Sequence, residues 1–313
     1  MKKLHDTVKL SANRVTPLTL AALIGIQVSF AFNYLLSKVI MKSLPPLVWA
    51  NIRSIATALL LGSFLFLTGQ SHWQEAWKLR KQLLLFSLLG VALNQAAFLS
   101  GLHLTTTTNS ALINTMIPIF TILWVTLSKQ EKFPWFRWLG LACAFIGVVS
   151  LRDLRHFSFS SSTYQGDLLS LLNCFCYSIF LAKSPVFFKH RNVLWTTTWL
   201  FIFGSFWLTL FASHQWVSFQ EPIVNSHLVL YCVLGVLVGN TIPYLLISFT
   251  LGRAPSSLVA QFIYLQALLA TLLGHFFLGE AFTLGTVCAG ILIFLGLYLS
   301  ATQVPFGIRI VRD

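Results

Sequence analysis

From Gln82 to Ser128 the chain carries no Asp, Glu, Lys or Arg. About 20 apolar residues cross a bilayer as a helix, so this run holds two crossings rather than one. The break falls at Leu104-Thr105-Thr106-Thr107-Thr108, which supplies a short turn. The rest of the chain agrees. Only 9% of its 313 residues are charged and 56% are hydrophobic, whereas a soluble domain carries roughly 25% charged residues. Too few charges remain to cover a soluble fold of this size. The hydrophobicity excludes disorder, and a mean hydropathy of +0.78 points the same way. The chain reads as an all-α polytopic membrane protein.

Reading charge-poor stretches between charged and Pro/Gly/Ser-rich boundaries gives ten spans. The first five run near Leu18–Ser37, Pro46–Leu67, Gln82–His103, Asn109–Ser128 and Trp135–Leu151. The second five run near Asp167–Phe187, Leu194–Ala212, His227–Thr250, Ser256–Leu278 and Phe282–Ala301. Continuous apolar runs argue for helices, since a membrane barrel shows alternating segments of about 10 residues. The charged N-terminus resembles a signal peptide. However, its apolar run reaches the length of a span, with no small-x-small cleavage site after it.

Ten spans put both termini on one side. If that side is cytoplasmic, 15 of the 21 Lys and Arg fall inside. Outside are Lys38, Lys42, Arg152 and Arg155, while Arg53 and Lys183 lie within or at the edge of spans. The bias follows the positive-inside rule. It accounts for the net charge of +13 without a nucleic-acid partner, because no basic soluble face exists to bind one. The expected setting is the plasma (inner) membrane, with the lipid bilayer as surroundings and the protein a monomer or weak homodimer. Trp73, Trp77, Trp135, Trp138, Trp195 and Trp216 cluster near span ends and read as an interfacial belt.

The two halves resemble each other at an offset of 145–149 residues. Leu89-Gly90-Val91 aligns with Leu234-Gly235-Val236, Glu131 with Glu280, and Gly147 with Gly296. Five spans per half is an odd number, so the second copy enters the membrane upside down. The expected organisation is therefore an inner tail (1–17), a first five-helix repeat (18–151), an outer linker (152–166), a second repeat (167–301) and an inner tail (302–313). Inverted repeats of this kind build secondary transporters, with the substrate near the bilayer midplane at the repeat interface.

Polar groups inside spans are costly and often functional. Span 3 carries Asn94 and Gln95 near its centre. At offset 145 Gln95 meets Asn240 of span 8, so these two are candidates for a midplane site; interhelical glue is the alternative. Asn114 of span 4 lies four residues before Pro118, and Gly239 four before Pro243. Each proline frees the carbonyl four residues earlier, so Pro118 and Pro243 are candidate hinges or static kinks. Asn33, Tyr177, Tyr244, Gln261 and Tyr264 add polar tips, with Gln266 beside them. Arg53 is the one clear intramembrane charge, either an anion ligand or a structural residue. Asp167 suits the first turn of span 6, and Glu280 suits a helix cap.

No acid lies in the middle of any span, so proton coupling would have to use His103 or His275. The cysteines at 143, 174, 176, 232 and 288 all lie inside spans, and Cys174 and Cys176 point to different helix sides. No metal or other cofactor is expected. No Gly-Lys-Ser/Thr phosphate loop exists, which excludes an ATP-driven pump within this chain. An integral membrane enzyme would need a concentrated catalytic set that eight peripheral acids do not provide.

These landmarks resemble those of the drug/metabolite transporter superfamily, EamA type, over nearly the whole chain. They are Phe32-Asn33-Tyr34 with Lys38, Leu44-Pro45-Pro46 with Arg53, Gly166-Asp167-Leu168-Leu169, and Leu278-Gly279-Glu280 with Gly290 and Gly296. The resemblance implies a carrier of a small metabolite, such as an amino acid, often an exporter, working by alternating access. It also implies a cavity lined by helices 1, 3, 4, 6, 8 and 9. A lipid or lipid-linked-metabolite flippase of the same fold is the alternative.

Overall fold

The computed structural model describes residues 15–70, 72–105, 107–131, 133–150, 163–189, 191–219, 226–278 and 284–301. Residues 1–14 of the first tail, the 302–313 tail, Glu280 and most of the 152–166 linker lie outside the described residues. Helices occupy all ten expected segments: α1 Pro17–Ile40, α2 Pro46–Leu67, α3 residues 80–104, α4 residues 107–127 and α5 Trp135–Ser150. They continue as α6 Tyr164–Lys183, α7 Val193–Val217, α8 residues 226–251, α9 residues 256–278 and α10 Leu284–Ala301. Seven of them (α1–α4 and α6–α8) are long and apolar enough to cross a membrane, and α5, α9 and α10 contain shorter apolar helices.

Local chemistry fixes the starts. Pro17 occupies the first turn of α1, and Thr16 Oγ1 accepts the Thr19 amide at 3.2 Å. Proline is tolerated there because that amide has no intrahelical partner. Pro46 does the same for α2. Asn192 opens α7, its side-chain oxygen accepting the amides of Leu194 and Trp195, as a good N-cap does.

The helices pair in a pattern that repeats. Helix α1 packs on α8 and α9, while α6 packs on α3 and α4. Helix α2 packs on α7 and touches α8, while α7 touches α3. Helix α5 packs on α10, and α4 meets α9. Exchanging each helix with the one five places along leaves this set of pairings unchanged. The close α5–α10 contact depends on the two glycines aligned in the sequence. A Cβ on Gly296 would lie 2.5 Å from the backbone of Gly140 and Ala144, and one on Gly147 would lie 2.9 Å from the Ala289 carbonyl. Small residues that let backbones approach are the usual basis of helix packing in lipid.

Between α2 and α7 the packing is partly polar. Asn51 Nδ2 donates to Thr209 Oγ1 at 2.9 Å, Trp216 Nε1 donates to Asn51 Oδ1 at 3.0 Å, and the Ser54 and Ser205 hydroxyls lie 3.1 Å apart. Trp195 departs from the belt expectation. It is buried, 6.3 Å from the Trp199 ring, whereas Trp73, Trp77 and Trp135 are exposed. A tryptophan near a helix start can face either side, and here the α7 register turns it inward.

Candidate functional site

Seven helices, α1 to α4, α6, α8 and α9, contribute to the wall of a cavity of about 70 Å³, with α2 represented by Arg53 alone. Since a buried water needs roughly 10–15 Å³, the space holds several waters or part of a small solute. Its wall mixes aromatic and aliphatic side chains, including Phe30, Phe98 and Ile263, with a concentrated set of amides.

One side chain from each of five helices forms a continuous hydrogen-bonded chain along that wall. The Tyr244 hydroxyl of α8 lies 2.9 Å from both the Gly90 carbonyl and Asn94 Oδ1 of α3. Asn94 Nδ2 donates to Asn173 Oδ1 of α6 at 2.7 Å, and Asn173 Nδ2 donates to Asn114 Oδ1 of α4 at 2.9 Å. Asn114 Nδ2 then donates to the Tyr34 hydroxyl of α1 at 2.5 Å. Cys174 Sγ sits 3.3 Å from Asn114 Oδ1. Each amide satisfies its neighbour, which removes the penalty of burying it unpaired.

A second set holds Arg53 of α2. Arg53 Nε donates to Gln95 Oε1 at 2.8 Å, and Arg53 Nη1 donates to Asn33 Oδ1 at 3.2 Å. Gln95 Nε2 donates to Asn240 Oδ1 at 2.9 Å. Asn240 Nδ2 returns to the Arg53 carbonyl at 3.3 Å and to Thr57 Oγ1 at 3.0 Å. The loop closes on the residue it supports, so the guanidinium is held at both its backbone and its tip. Arg53 is 2% exposed, and it lines the cavity.

Of the residues singled out in the sequence, Asn33, Asn114, Tyr177, Tyr244 and Arg53 line the space. Gln95 and Asn240 meet, but behind the wall, where they position Arg53. Gln261 and Tyr264 are buried off the cavity, and Gln261 Oε1 and the Tyr264 hydroxyl have no hydrogen-bond partner among the described residues. Helix α9 is interrupted at Phe262, between Ser256–Gln261 and Ile263–Leu278. Ile263 and Gln266, three apart, take the cavity face instead. Asn173 is absent from the sequence candidates and Asn94 is set aside there. The signal for both is an amide deep in a largely apolar span.

The helices break where they border the site. Helix α4 is interrupted at Thr115, between Asn114 and Met116, one turn ahead of Pro118. Helix α8 contains a single π-helical turn, Leu237–Thr241, in which the Ile242 amide bonds the Leu237 carbonyl. Pro243 follows directly. Helix α3 has the same turn at Leu88–Ala92 with no proline nearby, so proline is not what produces it. The two turns lie at offset 149, making Gly90 the counterpart of Gly239. They also pack alike: a Cβ on Gly90 would meet Phe180 of α6, and one on Gly239 would lie 2.6 Å from Asn33 Oδ1 of α1. Gln95 and Asn240 thus touch without being register equivalents. Such turns are frequent at functional sites.

At one end of the bundle, Glu131 reaches the first turn of α9. Its carboxylate accepts the Ser257 hydroxyl through Oε2 and the Ser257 amide through Oε1 at 3.3 Å. Burial pushes the Glu131 carboxyl up from the usual carboxylate range, and the Ser257 bonds partly oppose this. Asp167 lies in the first turn of α6 and accepts the Thr105 hydroxyl at 2.6 Å, tying α3 to α6. Lys183 Nζ reaches Ser128 Oγ at 2.6 Å at an exposed position. No group of three or more metal-ligating side chains exists among the described residues.

Comparison with known proteins agrees with this architecture. The profile of the EamA-like transporter family matches the chain twice, over residues 17–152 and 164–302. An uncharacterized transporter of Archaeoglobus fulgidus is 26% identical over 285 residues, covering 88% of this chain and 94% of that protein. The uncharacterized transporter YoaV of Bacillus subtilis is 20% identical over 278 residues, covering 89% and 94%. A WAT1-related protein of Arabidopsis thaliana is 25% identical over 316 residues, covering 89% and 84%. A solved crystal structure superposes with a TM-score of 0.73 at 18% identity, covering 91% of this chain and 97% of that one, a likeness of fold. The chain belongs to the EamA-like transporter family, within the drug/metabolite transporter superfamily.

Proposed function

We propose that this protein carries a small metabolite across the plasma (inner) membrane by alternating access, in the direction of export, with an amino acid among the candidate solutes. All ten helices cross the bilayer in this reading, as two inverted five-helix repeats with both termini cytoplasmic. The observation that carries it is the amide-lined cavity bounded by helices from both halves, α1–α4 with α6, α8 and α9. A site shared between repeats can open to either side as one repeat rocks against the other. The repeating pattern of helix pairings and the paired π-turns support the same reading. The interruption at Thr115 with Pro118, and the π-turn before Pro243, are where the helices flex. Solute contacts come from Asn33, Asn94, Asn114, Asn173, Tyr177 and Tyr244. Purified protein in liposomes, loaded with a panel of radiolabelled metabolites, should release at least one of them saturably. Absence of carrier-mediated movement for every solute, in both directions, would overturn the proposal.

A further inference from the structure

We propose that Arg53 recognises the transported solute through a single negative charge, a carboxylate, and that this selects monoanions over amines and dianions. This rests on the transporter reading above. Arg53 lies on the cavity wall, 2% exposed, and its bonds are to two neutral amide oxygens, on Gln95 and Asn33. Its Nη2 has no partner among the described residues, and neither has Asn33 Nδ2.

Among the described residues no acid lines the cavity or bonds Arg53. The sequence has no Asp or Glu from residue 17 to 74, 76 to 130, 168 to 220 or 222 to 279. Asp167 is the nearest in sequence to a cavity residue of its own helix. It lies six residues before Asn173, about 9 Å along the helix axis, and is engaged by Thr105 and Thr163.

A buried charge without a counterion is unfavourable, and one that faces a cavity sets the sign of what enters. The unpartnered Nη2, with the second hydrogen of Nη1 beside it, offers donors that match a carboxylate. The Asn33 amide supplies a further donor beside it. An amine would meet a like charge. A dianion would bring a second negative charge with no second Lys or Arg on the cavity wall.

The test is thermal unfolding of the full-length protein in detergent, titrated with straight-chain carboxylates from acetate to octanoate. The 2-amino acid, the amine and the dicarboxylate of each length are run in parallel. Carboxylates of at least one length should raise the melting temperature saturably, while the matching amine gives no shift. The dicarboxylate should bind about tenfold or more weakly, equivalent to 1.4 kcal/mol. Arg53→Gln should remain folded, because it removes the unpaired charge, and should lose the carboxylate shift. Arg53→Lys keeps the charge without the fork and should retain the preference at reduced affinity, which serves if the glutamine variant does not fold.

Equal stabilisation by amines, no stabilisation by any carboxylate, or an undiminished shift in Arg53→Gln would overturn the proposal. The transporter reading fails separately. Transport of neutral or cationic solutes unaffected by Arg53→Gln overturns charge recognition and leaves the carrier standing. Carboxylate binding with no transport of any solute does the reverse.

Discussion

Arg53 and the amides around it divide into two hydrogen-bonded sets with different tasks. Asn94, Asn114 and Asn173 present their amides at the cavity, whereas Gln95 and Asn240 work through Arg53. Gln95→Ala leaves Arg53 Nε and Asn240 Oδ1 buried without partners, a loss of about 1–3 kcal/mol. We expect Gln95→Ala and Asn240→Ala to weaken solute affinity roughly tenfold or more, measured as the half-saturation concentration for efflux. Glu131 gives a second prediction. Its folded carboxyl titrates above the unfolded one, so over that interval the folded state holds more protons. Stability is then greatest below the ordinary carboxylate range and falls as pH rises through the raised value. Glu131→Gln should flatten that part of a plot of melting temperature against pH; an unchanged slope would show that Glu131 is not its source.

At the scale of elements, what was legible in the sequence was what hydrophobic length encodes. All ten segments and the turn near Thr105 could be read because charge and turn residues mark their ends. The matched glycines at 147 and 296 were legible too, and they form the α5–α10 seam. Gly147→Leu should therefore destabilise the protein by about 1–3 kcal/mol through overpacking, seen as a lower unfolding midpoint, while Gly62→Ala, whose Cβ would have no neighbour nearer than 3.9 Å, serves as a control. The π-turns were not legible. One extra residue in a turn leaves no mark in composition, although both halves carry it at the same offset of 149. The same kind of effect removed Gln261 and Tyr264 from the site. Their spacing was sound for an unbroken helix, but α9 is interrupted at Phe262. Asn173 went unread because its partners, Asn94 and Asn114, are far from it in sequence.

For the whole molecule, the repeating helix pairings and the charge bias make one claim about orientation. In a cysteine-free background, Lys42→Cys should react with an impermeant thiol reagent from outside intact cells. Arg253→Cys should react only after permeabilisation. The reverse pattern, or equal labelling, would invert or dismantle the proposed topology. The central claim is that the amide-lined cavity between the halves is where the solute sits during transport. Its most direct test is saturable efflux from proteoliposomes by the unsubstituted protein and by Asn173→Ala, with unfolding midpoints checked alongside. Asn173 lines the cavity and bonds both Asn94 and Asn114, so its loss should cut efflux at least tenfold while the protein stays folded. Efflux by a folded Asn173→Ala protein equal to that of the unsubstituted protein would contradict the claim.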